Sequence, residues 1–188
     1  SDVCSSDLLR MFEAVQGWGD YNTKLISEGG GIFSRQAKSI PLSPQIRDLL
    51  GVMSEELPVD SVIRLILRLQ VDLWWNGGIG TYVKASHETH HSAGDTANDA
   101  VRIDAAELRA RIVAEGGNLG LTQAARVEFA QQGGRINNDA IDNSGGVDSS
   151  DRGVNIKILL SDVAKKKNMS RKRRDELLAS MTEYVARL

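Results

Sequence analysis

Cysteine, proline and aromatic residues are all scarce in this sequence. Of its 188 residues, one is cysteine, three are proline and 5% are aromatic. The single cysteine, Cys4, excludes an internal disulfide and a zinc site built from cysteines. No apolar run approaches the roughly 20 residues that a membrane span requires. The net charge of −2 and the pI of about 5.9 give the chain no bulk attraction for nucleic acid or anionic lipid.

The two ends of the sequence lack the features of natural termini. Residues 1–8, SDVCSSDL, carry acids and no apolar core, so they do not form a signal peptide. We interpret them as an adapter-derived artefact and begin the fold at Leu9. Residues 184–188 stop within a helical pattern without a capping residue, so we expect the natural protein to continue on both sides.

Glycine is the most informative residue type. Of 18 glycines, 13 fall in five clusters, at 29–31, 77–80, 116–120, 133–134 and 145–146. Several clusters follow a short apolar run, as is typical where strands end in tight turns.

The segment from Pro58 to Gly80 predicts a helix, a strand and a glycine loop. Asp60 or Ser61 is the expected N-cap of the helix. Apolar residues then recur at helical spacing, at Val62, Ile63, Ile66, Leu67 and Leu69. The strand is expected at 71–75, before the loop 76–80.

The next segment predicts a compact βαβ unit. Residues 112–114 form a short apolar strand, Thr122 can cap a helix that ends at Gly133-Gly134, and residues 135–137 begin another strand. Two strands joined by a helix within this length are expected to be parallel, with a right-handed crossover.

Two other regions show different patterns. Residues 81–107 are polar and show little periodicity, so we expect a long surface excursion with one helix around 95–102. Residues 170–188 predict an amphipathic helix. Its apolar face is expected to carry Leu177, Leu178, Met181, Val185 and Leu188.

A short motif offers an alternative function. His87, Glu88 and His91 satisfy the H-E-x-x-H pattern of zinc hydrolases. The flanking residues provide no apolar stripe to bury a helix and no third ligand, so we favour a solvated polar loop and predict no metal. The basic residues at 165–167 and 171–174 lack interleaved aromatics, which favours a solvated helix start over a nucleic-acid site.

Three loops are expected at the carboxyl ends of strands, where open parallel sheets bind their ligands. They span 76–80, 115–122 and 142–150 and consist largely of Gly, Asn, Ser and Thr. Neutral donors and acceptors suit a sugar, an amide or a carboxylate better than a metal. Purely structural glycine turns remain an alternative, because no complete G-x-G-x-x-G is present.

Long motifs resemble the large bacterial NAD-specific glutamate dehydrogenases. They are NGGIGTYVKAS at 76–86, EGGNLGLTQ at 115–123, GGRINNDAIDNSGGVD at 133–148 and VNIKILL at 154–160. The resemblance runs from about Leu9 to the last residue. It implies a cytoplasmic, homo-oligomeric enzyme that oxidises L-glutamate to 2-oxoglutarate and ammonium with NAD as cofactor, without nucleic-acid or membrane partners.

The resemblance also implies roles for individual residues. The expected cofactor-binding residues are Asn76, Gly77, Gly78, Asn118 and Asn143, with Asn118 at the nicotinamide ribose and Asn143 at the carboxamide. Val147 would pack on the substrate, and Ser150 would bind its side-chain carboxylate. The family's catalytic lysine and aspartate would precede residue 9, so we expect no catalytic residue in this chain.

The sequence departs from the family beside the expected substrate serine. Ser149 stands where a cysteine is usual, and Arg152-Gly153 stand where His-Glu is usual. These differences reduce what the resemblance says about the geometry around Ser150.

The resulting prediction is an α/β fold. Residues 9–155 would form the second half of a Rossmann-type NAD-binding domain, and residues 156–188 would begin a helical C-terminal region. A non-catalytic regulatory or interaction domain built on half a Rossmann fold is the main alternative function, since the piece alone lacks acid–base residues.

Overall fold

The computed structural model describes residues 9–11, 13–166 and 169–187. The expected artefact at 1–8 lies outside the described residues. The chain divides into two compact units, of which the first ends at Leu69 and the second begins at Gln70. Of the helices that the structure describes, none combines the length and the apolar character that a membrane span requires.

The first unit is a small α/β element. Strand β1 (Ser39–Pro41) pairs antiparallel with β2 (Glu56–Pro58), and helices α1 (Pro44–Leu50) and α2 (Val59–Leu67) follow the two strands. One apolar cluster holds these elements together, and its buried members are Ile40, Leu42, Val59 and Val62.

Helix α2 confirms the helix predicted after Pro58, but the predicted N-cap is wrong. Pro58 occupies the cap position and makes no side-chain capping bond. Because β2 runs directly into α2, the helix begins before Asp60 and Ser61 can cap it. Asp60 instead lies in the first turn, where a carboxylate interacts favourably with the helix dipole.

The second unit is built on a three-stranded parallel sheet in the order β3-β6-β7. Its strands are β3 (Leu73–Asn76), β6 (Ile112–Glu115) and β7 (Arg135–Ile136). Helix α4 (Gln123–Gln131) connects β6 to β7, so the predicted βαβ unit is confirmed.

The ends of α4 are formed as the sequence predicts. The Thr122 hydroxyl accepts a hydrogen bond from the Ala125 N–H at 3.1 Å, which caps the helix. Gly133 then adopts a φ of +91°, a conformation that glycine tolerates best, and the chain turns into β7.

Residues 81–107 are not a surface excursion, and that prediction is wrong. They contribute β4 (Val83–Lys84) and β5 (Ile103–Asp104), which pair in parallel, and the short helix α3 (His90–Ala93). Ile103 is only 1% exposed. The helix expected around 95–102 is also wrong, since only a three-residue 3-10 turn, Thr96–Asn98, forms there.

The sequence did not indicate that this segment is buried, because many of its buried residues are polar. Arg102 is buried, and its guanidinium donates to the Thr81 carbonyl oxygen at 2.7 Å and to the Asp99 carboxylate at 2.5 Å. A fully paired arginine can occupy a core position, although its sequence pattern is that of a surface residue. The two-residue strands are too short to show an alternating pattern.

In the part of the chain that the structure describes, four helices follow the sheet. They are α5 (Asp139–Asp142), α6 (Ser144–Lys165), α7 (Arg171–Ser180) and α8 (Thr182–Ala186). The loop predicted at 142–150 is therefore wrong, since these residues end α5 and form the first turns of α6. The predicted domain boundary between residues 155 and 156 falls within α6 and stays a prediction.

Tertiary packing explains why α6 forms despite its glycines. Ser149, Gly153 and Ile156 recur at helical spacing and line a groove shared with α7 and α8. Leu160 continues this stripe and is buried. Packing of one helical face stabilises a helix whose intrinsic propensity is low.

The predicted amphipathic tail forms as two helices, with a break at Met181. Leu178, Met181 and Val185 line the groove against α6, as the expected apolar face requires. Leu177 is exposed instead, and Leu188 lies outside the described residues. The observed fold is thus a mixed α/β fold with a parallel sheet followed by helices.

Candidate functional site

The candidate site lies at the carboxyl ends of β3 and β6. These strands are parallel neighbours, and their last residues, Asn76 and Glu115, pair in register. The Gly116 N–H donates to the Asn76 carbonyl oxygen at 2.7 Å. The loops that follow the two strands therefore leave the sheet at the same edge, which is where parallel sheets bind ligands.

The two loops approach each other through their backbones. A Cβ atom placed on Gly117 would lie 2.6 Å from the carbonyl oxygen of Gly78, which is closer than side chains tolerate. Glycine at 117 therefore permits the contact between the predicted segments 76–80 and 115–122.

The third predicted segment reaches the same edge. The Asn143 Nδ2 donates to the Asn118 Oδ1 at 3.0 Å, and the Glu115 N–H donates to the Asp142 carboxylate at 3.1 Å. Although 142–150 is helical where a loop was expected, its first residues lie beside the loop after β6. The structure thus brings Asn118 and Asn143 into direct contact.

A cavity of about 610 Å³ opens beside this pair. Its lining is contributed by the loop after β6, α5 and α6, and consists of Asn118, Leu119, Asp139, Ala140, Ser144, Val147, Asp148 and Asp151. Asn118 and Val147 are thus on the cavity wall. Ser150 lies on exposed α6, one turn after Val147, and is outside this lining, as are Asn76, Gly77, Gly78 and Asn143.

Asn76 has a different environment from the other expected site residues. It is 7% exposed, and its Nδ2 has no hydrogen-bond partner within the described part of the chain. A buried amide donor left unpaired costs about 1–3 kcal/mol. The loop edge therefore contains a neutral donor that is unpaired and shielded from solvent behind the loops.

The comparison with known proteins identifies the family. Residues 3–188 match the family described as "Bacterial NAD-glutamate dehydrogenase, catalytic domain". The chain belongs to this family.

Three relatives give the scale of the likeness. An NAD-specific glutamate dehydrogenase of Halomonas elongata is 54% identical over 180 residues, which are 95% of this chain and 11% of that protein. One of Pseudomonas aeruginosa is 54% identical over 171 residues, 91% of this chain and 11% of that protein. One of Mycobacterium tuberculosis is 51% identical over 186 residues, 95% of this chain and 12% of that protein. The chain therefore spans about 11–12% of the length of these relatives.

In this member of the bacterial NAD-glutamate dehydrogenase family, the cavity carries negative charge. Asp139, Asp148 and Asp151 all belong to its lining. Asp148 has a partner in Arg152, at 3.1 Å, and Asp139 has one in Arg126, at 3.4 Å. The remaining negative charge favours cations and hydroxyl groups over phosphate.

Sequence reasoning missed a buried ion pair behind the loop. Glu115 is 1% exposed and Arg126 is 5% exposed, and the two side chains contact each other through both guanidinium Nη atoms. A glutamate at the end of an apolar strand, followed by an arginine in the first turns of the next helix, was the available indication. Both residues flank the loop that carries Asn118.

One member of the H-E-x-x-H motif, Glu88, makes contacts that stabilise the fold, as does His90 between the motif residues. The Glu88 carboxylate accepts hydrogen bonds from the Thr122 hydroxyl at 2.5 Å and from the Ala85 N–H at 2.8 Å. His90 contacts Arg102 through Nδ1 at 3.2 Å. Within residues 9–11, 13–166 and 169–187, no group of three or more His, Cys, Asp or Glu side chains is arranged to hold a metal ion.

Proposed function

We propose that this chain is part of the catalytic region of an NAD-dependent glutamate dehydrogenase. By the full-length protein we mean a protein as long as the relatives that contains this chain. It would oxidise L-glutamate with NAD to 2-oxoglutarate and ammonium. The observation that carries the proposal is the hydrogen bond between Asn118 and Asn143 at the carboxyl edge of the parallel sheet. Family membership and the names of the relatives support the same activity.

The topology supports a Rossmann-type origin for the sheet. Three parallel strands, with α4 as the connection between β6 and β7, match half of such a domain. We therefore assign residues 9–155 to the second half of a dinucleotide-binding domain and residues 156–188 to the start of a helical region.

The residues at the sheet edge fit the nicotinamide end of NAD. Asn76, Asn118 and Asn143 would hold it through neutral amide groups, and for Asn76 this requires the loops to expose its buried, unpaired Nδ2. When bound, NAD supplies the nicotinamide ring that accepts a hydride from the substrate. Asp139, Asp148 and Asp151 would stabilise a positive charge in the cavity, such as that of an oxidised nicotinamide.

The first turns of α6 fit the substrate side. Val147 contributes an apolar surface to the cavity, and Ser150 presents a hydroxyl one turn later. A hydroxyl that donates to the distal carboxylate of glutamate would favour a five-carbon diacid over neutral amino acids. Such a charge-assisted bond is worth about 1.5–3 kcal/mol.

The test is steady-state kinetics of the full-length protein with glutamate and NAD. We expect Ser150→Ala to raise the KM for glutamate about tenfold or more and to lower kcat/KM, because one hydrogen bond to a charged group is lost. The KM for NAD should stay unchanged.

Ser149→Ala is the matched control for this test. Ser149 is the neighbouring serine on α6, but it lines the groove shared with α7 and α8. Equal kinetics for both variants and the wild type would remove Ser150 from the substrate site. A wild-type protein that fails to reduce NAD with glutamate would favour the non-catalytic alternative.

A further inference from the structure

The loop that carries Asn118 is connected to one buried arginine. Arg126 lies in the second turn of α4, and its side chain turns back toward the residues that precede the helix. Its Nη1 and Nη2 contact the Glu115 carboxylate, and Nη2 also donates to the Leu121 carbonyl oxygen at 3.2 Å. The same Nη2 lies 3.4 Å from the Asp139 carboxylate.

The two carboxylates that Arg126 pairs with bind consecutive backbone groups of the loop. Glu115 accepts a hydrogen bond from the Gly120 N–H at 2.9 Å. Asp139 accepts one from the Leu119 N–H at 2.8 Å. One guanidinium therefore orients both acceptors that hold the loop immediately after Asn118.

The loop needs this support because the backbone conformation of Leu119 is energetically unfavourable. Leu119 has a φ of +61°, in the left-handed region that residues other than glycine rarely adopt. Such a conformation persists where the surrounding structure holds it in place. The bonds from the Leu119 and Gly120 N–H groups hold one side of this turn, while their carbonyl oxygens accept from the Thr81 hydroxyl at 2.7 Å and the Tyr82 N–H at 2.9 Å. Asn118 immediately precedes the turn.

We propose that Arg126 is a positioning residue for the cofactor side of the site. Through Glu115 and Asp139 it holds the turn at Leu119 and Gly120, so that Asn118 meets Asn143 at the sheet edge. This inference rests on the proposed function for its kinetic consequence, while its structural consequence can be measured without activity. Arg126 acts through the loop.

Lysine cannot replace arginine in this arrangement. The planar guanidinium contacts Glu115, Asp139 and the Leu121 carbonyl oxygen in different directions from a fixed fork. An ammonium is a single point of charge on a flexible stem and cannot maintain these contacts together. Arg126→Lys therefore keeps the positive charge but loses the simultaneous contacts that the guanidinium makes.

The first measurement is hydrogen exchange of the full-length protein, followed in peptides that cover residues 116–122. In Arg126→Lys we expect exchange in these peptides to rise about tenfold or more, with β3 unchanged, because local opening of the loop becomes easier. Arg111→Lys is the control, since the Arg111 side chain is 80% exposed and pairs with Asp72 at the surface. Exchange at 116–122 equal to the wild type would overturn the inference whether or not the protein is active.

The second measurement is kcat/KM for NAD in Arg126→Lys, Asn118→Ala and the double variant. We expect Arg126→Lys to lower it about 100-fold, since a misplaced binding group costs this much, while Arg111→Lys has no effect. The double variant should be no worse than Asn118→Ala alone, because both changes act on one group. If the losses of the two single variants multiplied in the double variant, Arg126 would act through general stability, and the inference would be overturned.

A milder variant covers the case in which Arg126→Lys does not fold. Asp139 is at the cavity wall, and Asp139→Ala removes the acceptor of the Leu119 N–H without burying an unpaired charge. It should show the same local increase in exchange. If the wild type is active and hydrogen exchange at 116–122 is unchanged in Asp139→Ala and Arg126→Lys, this inference alone is overturned. An inactive wild type would overturn the proposed function.

Discussion

The side-chain amides of Asn118 and Asn143 share a hydrogen bond of 3.0 Å across 25 positions of sequence. Asn143 donates through Nδ2 and Asn118 accepts through Oδ1. This arrangement leaves the Nδ2 donors of Asn118 and the Oδ1 acceptor of Asn143 for other partners. A ligand amide group, which has both a donor and an acceptor, is complementary to such a pair.

Asn143→Asp tests this complementarity. The substitution keeps the shape of the side chain but places an oxygen where Nδ2 donates to the Asn118 Oδ1. We expect kcat/KM for NAD to fall about tenfold or more in the full-length protein. The substitution removes the bond that aligns the two amides, and leaving a polar group without its partner costs about 1–3 kcal/mol.

Asn155→Asp is the control for the added charge. Asn155 lies further along α6, and its Nδ2 donates to the Asp151 carbonyl oxygen at 3.0 Å, so it loses the same kind of bond away from the sheet edge. If both variants changed kcat/KM equally, the effect would come from charge, and Asn143 would have no special position.

A second expectation concerns the buried segment that contains β4 and β5. Ile103→Ala should lower the free energy of unfolding by about 2–5 kcal/mol, since it removes buried methyl groups and leaves a cavity. Ile79→Ala provides the comparison, because Ile79 is 92% exposed and its truncation should change stability by less than about 0.5 kcal/mol. Urea denaturation of the chain measures both. If both substitutions lowered stability equally, residues 81–107 would form a surface segment, as the sequence predicted.

The contrast between Ile103 and Thr122 shows what the sequence can reveal. Thr122, the apolar residues of α4 and Gly133 are local indicators, each within a few residues of the structure that they specify, so the βαβ unit could be predicted. The burial of Ile103 depends on strands of two residues that pair across distant sequence, and on polar neighbours such as Arg102 that are buried because they are paired. Neither condition leaves a local pattern.

The candidate site was predictable to a similar degree. Glycine and asparagine at strand ends pointed to the sheet edge, where Asn118 and Asn143 do meet. Gly145 and Gly146 predicted a loop, because glycine disfavours helices, but the packing of α6 against α7 and α8 outweighs that propensity. The pair of Glu115 and Arg126 was indicated only by a glutamate at a strand end and an arginine early in the next helix. That spacing does not reveal that both side chains are buried, because the turn between the two elements brings them together.

A third expectation concerns pH. Hydrogen bonds from the Thr81 N–H and the Asn98 side chain, together with the charge of Arg102, hold the pKa of Asp95 below its ordinary value of 3.8. The Ser86 hydroxyl and N–H likewise lower the pKa of Glu128 from 4.5. A lowered pKa in the folded state means that the unfolded chain binds protons first as the pH falls.

The stability from these two carboxylates should therefore be fully present above about pH 5 and be lost as the pH falls through their lowered pKa values. Urea denaturation between about pH 7 and about pH 3 measures the loss. Asp95→Asn keeps an oxygen acceptor but cannot titrate, so its stability should depend less steeply on pH below about pH 4. A slope as steep as that of the wild type would mean that Asp95 does not contribute.

Helix α6 has a mechanical consequence for the cavity. Its 22 residues make a rod of about 33 Å, with Val147 in the first turns and the contacts to α7 and α8 further along. A tilt of about 5° about the distant end would carry Val147 by roughly 2 Å, somewhat less than the width of a water molecule. Small rearrangements of the last two helices would thereby be amplified at the wall of the cavity, while the strands remain in place.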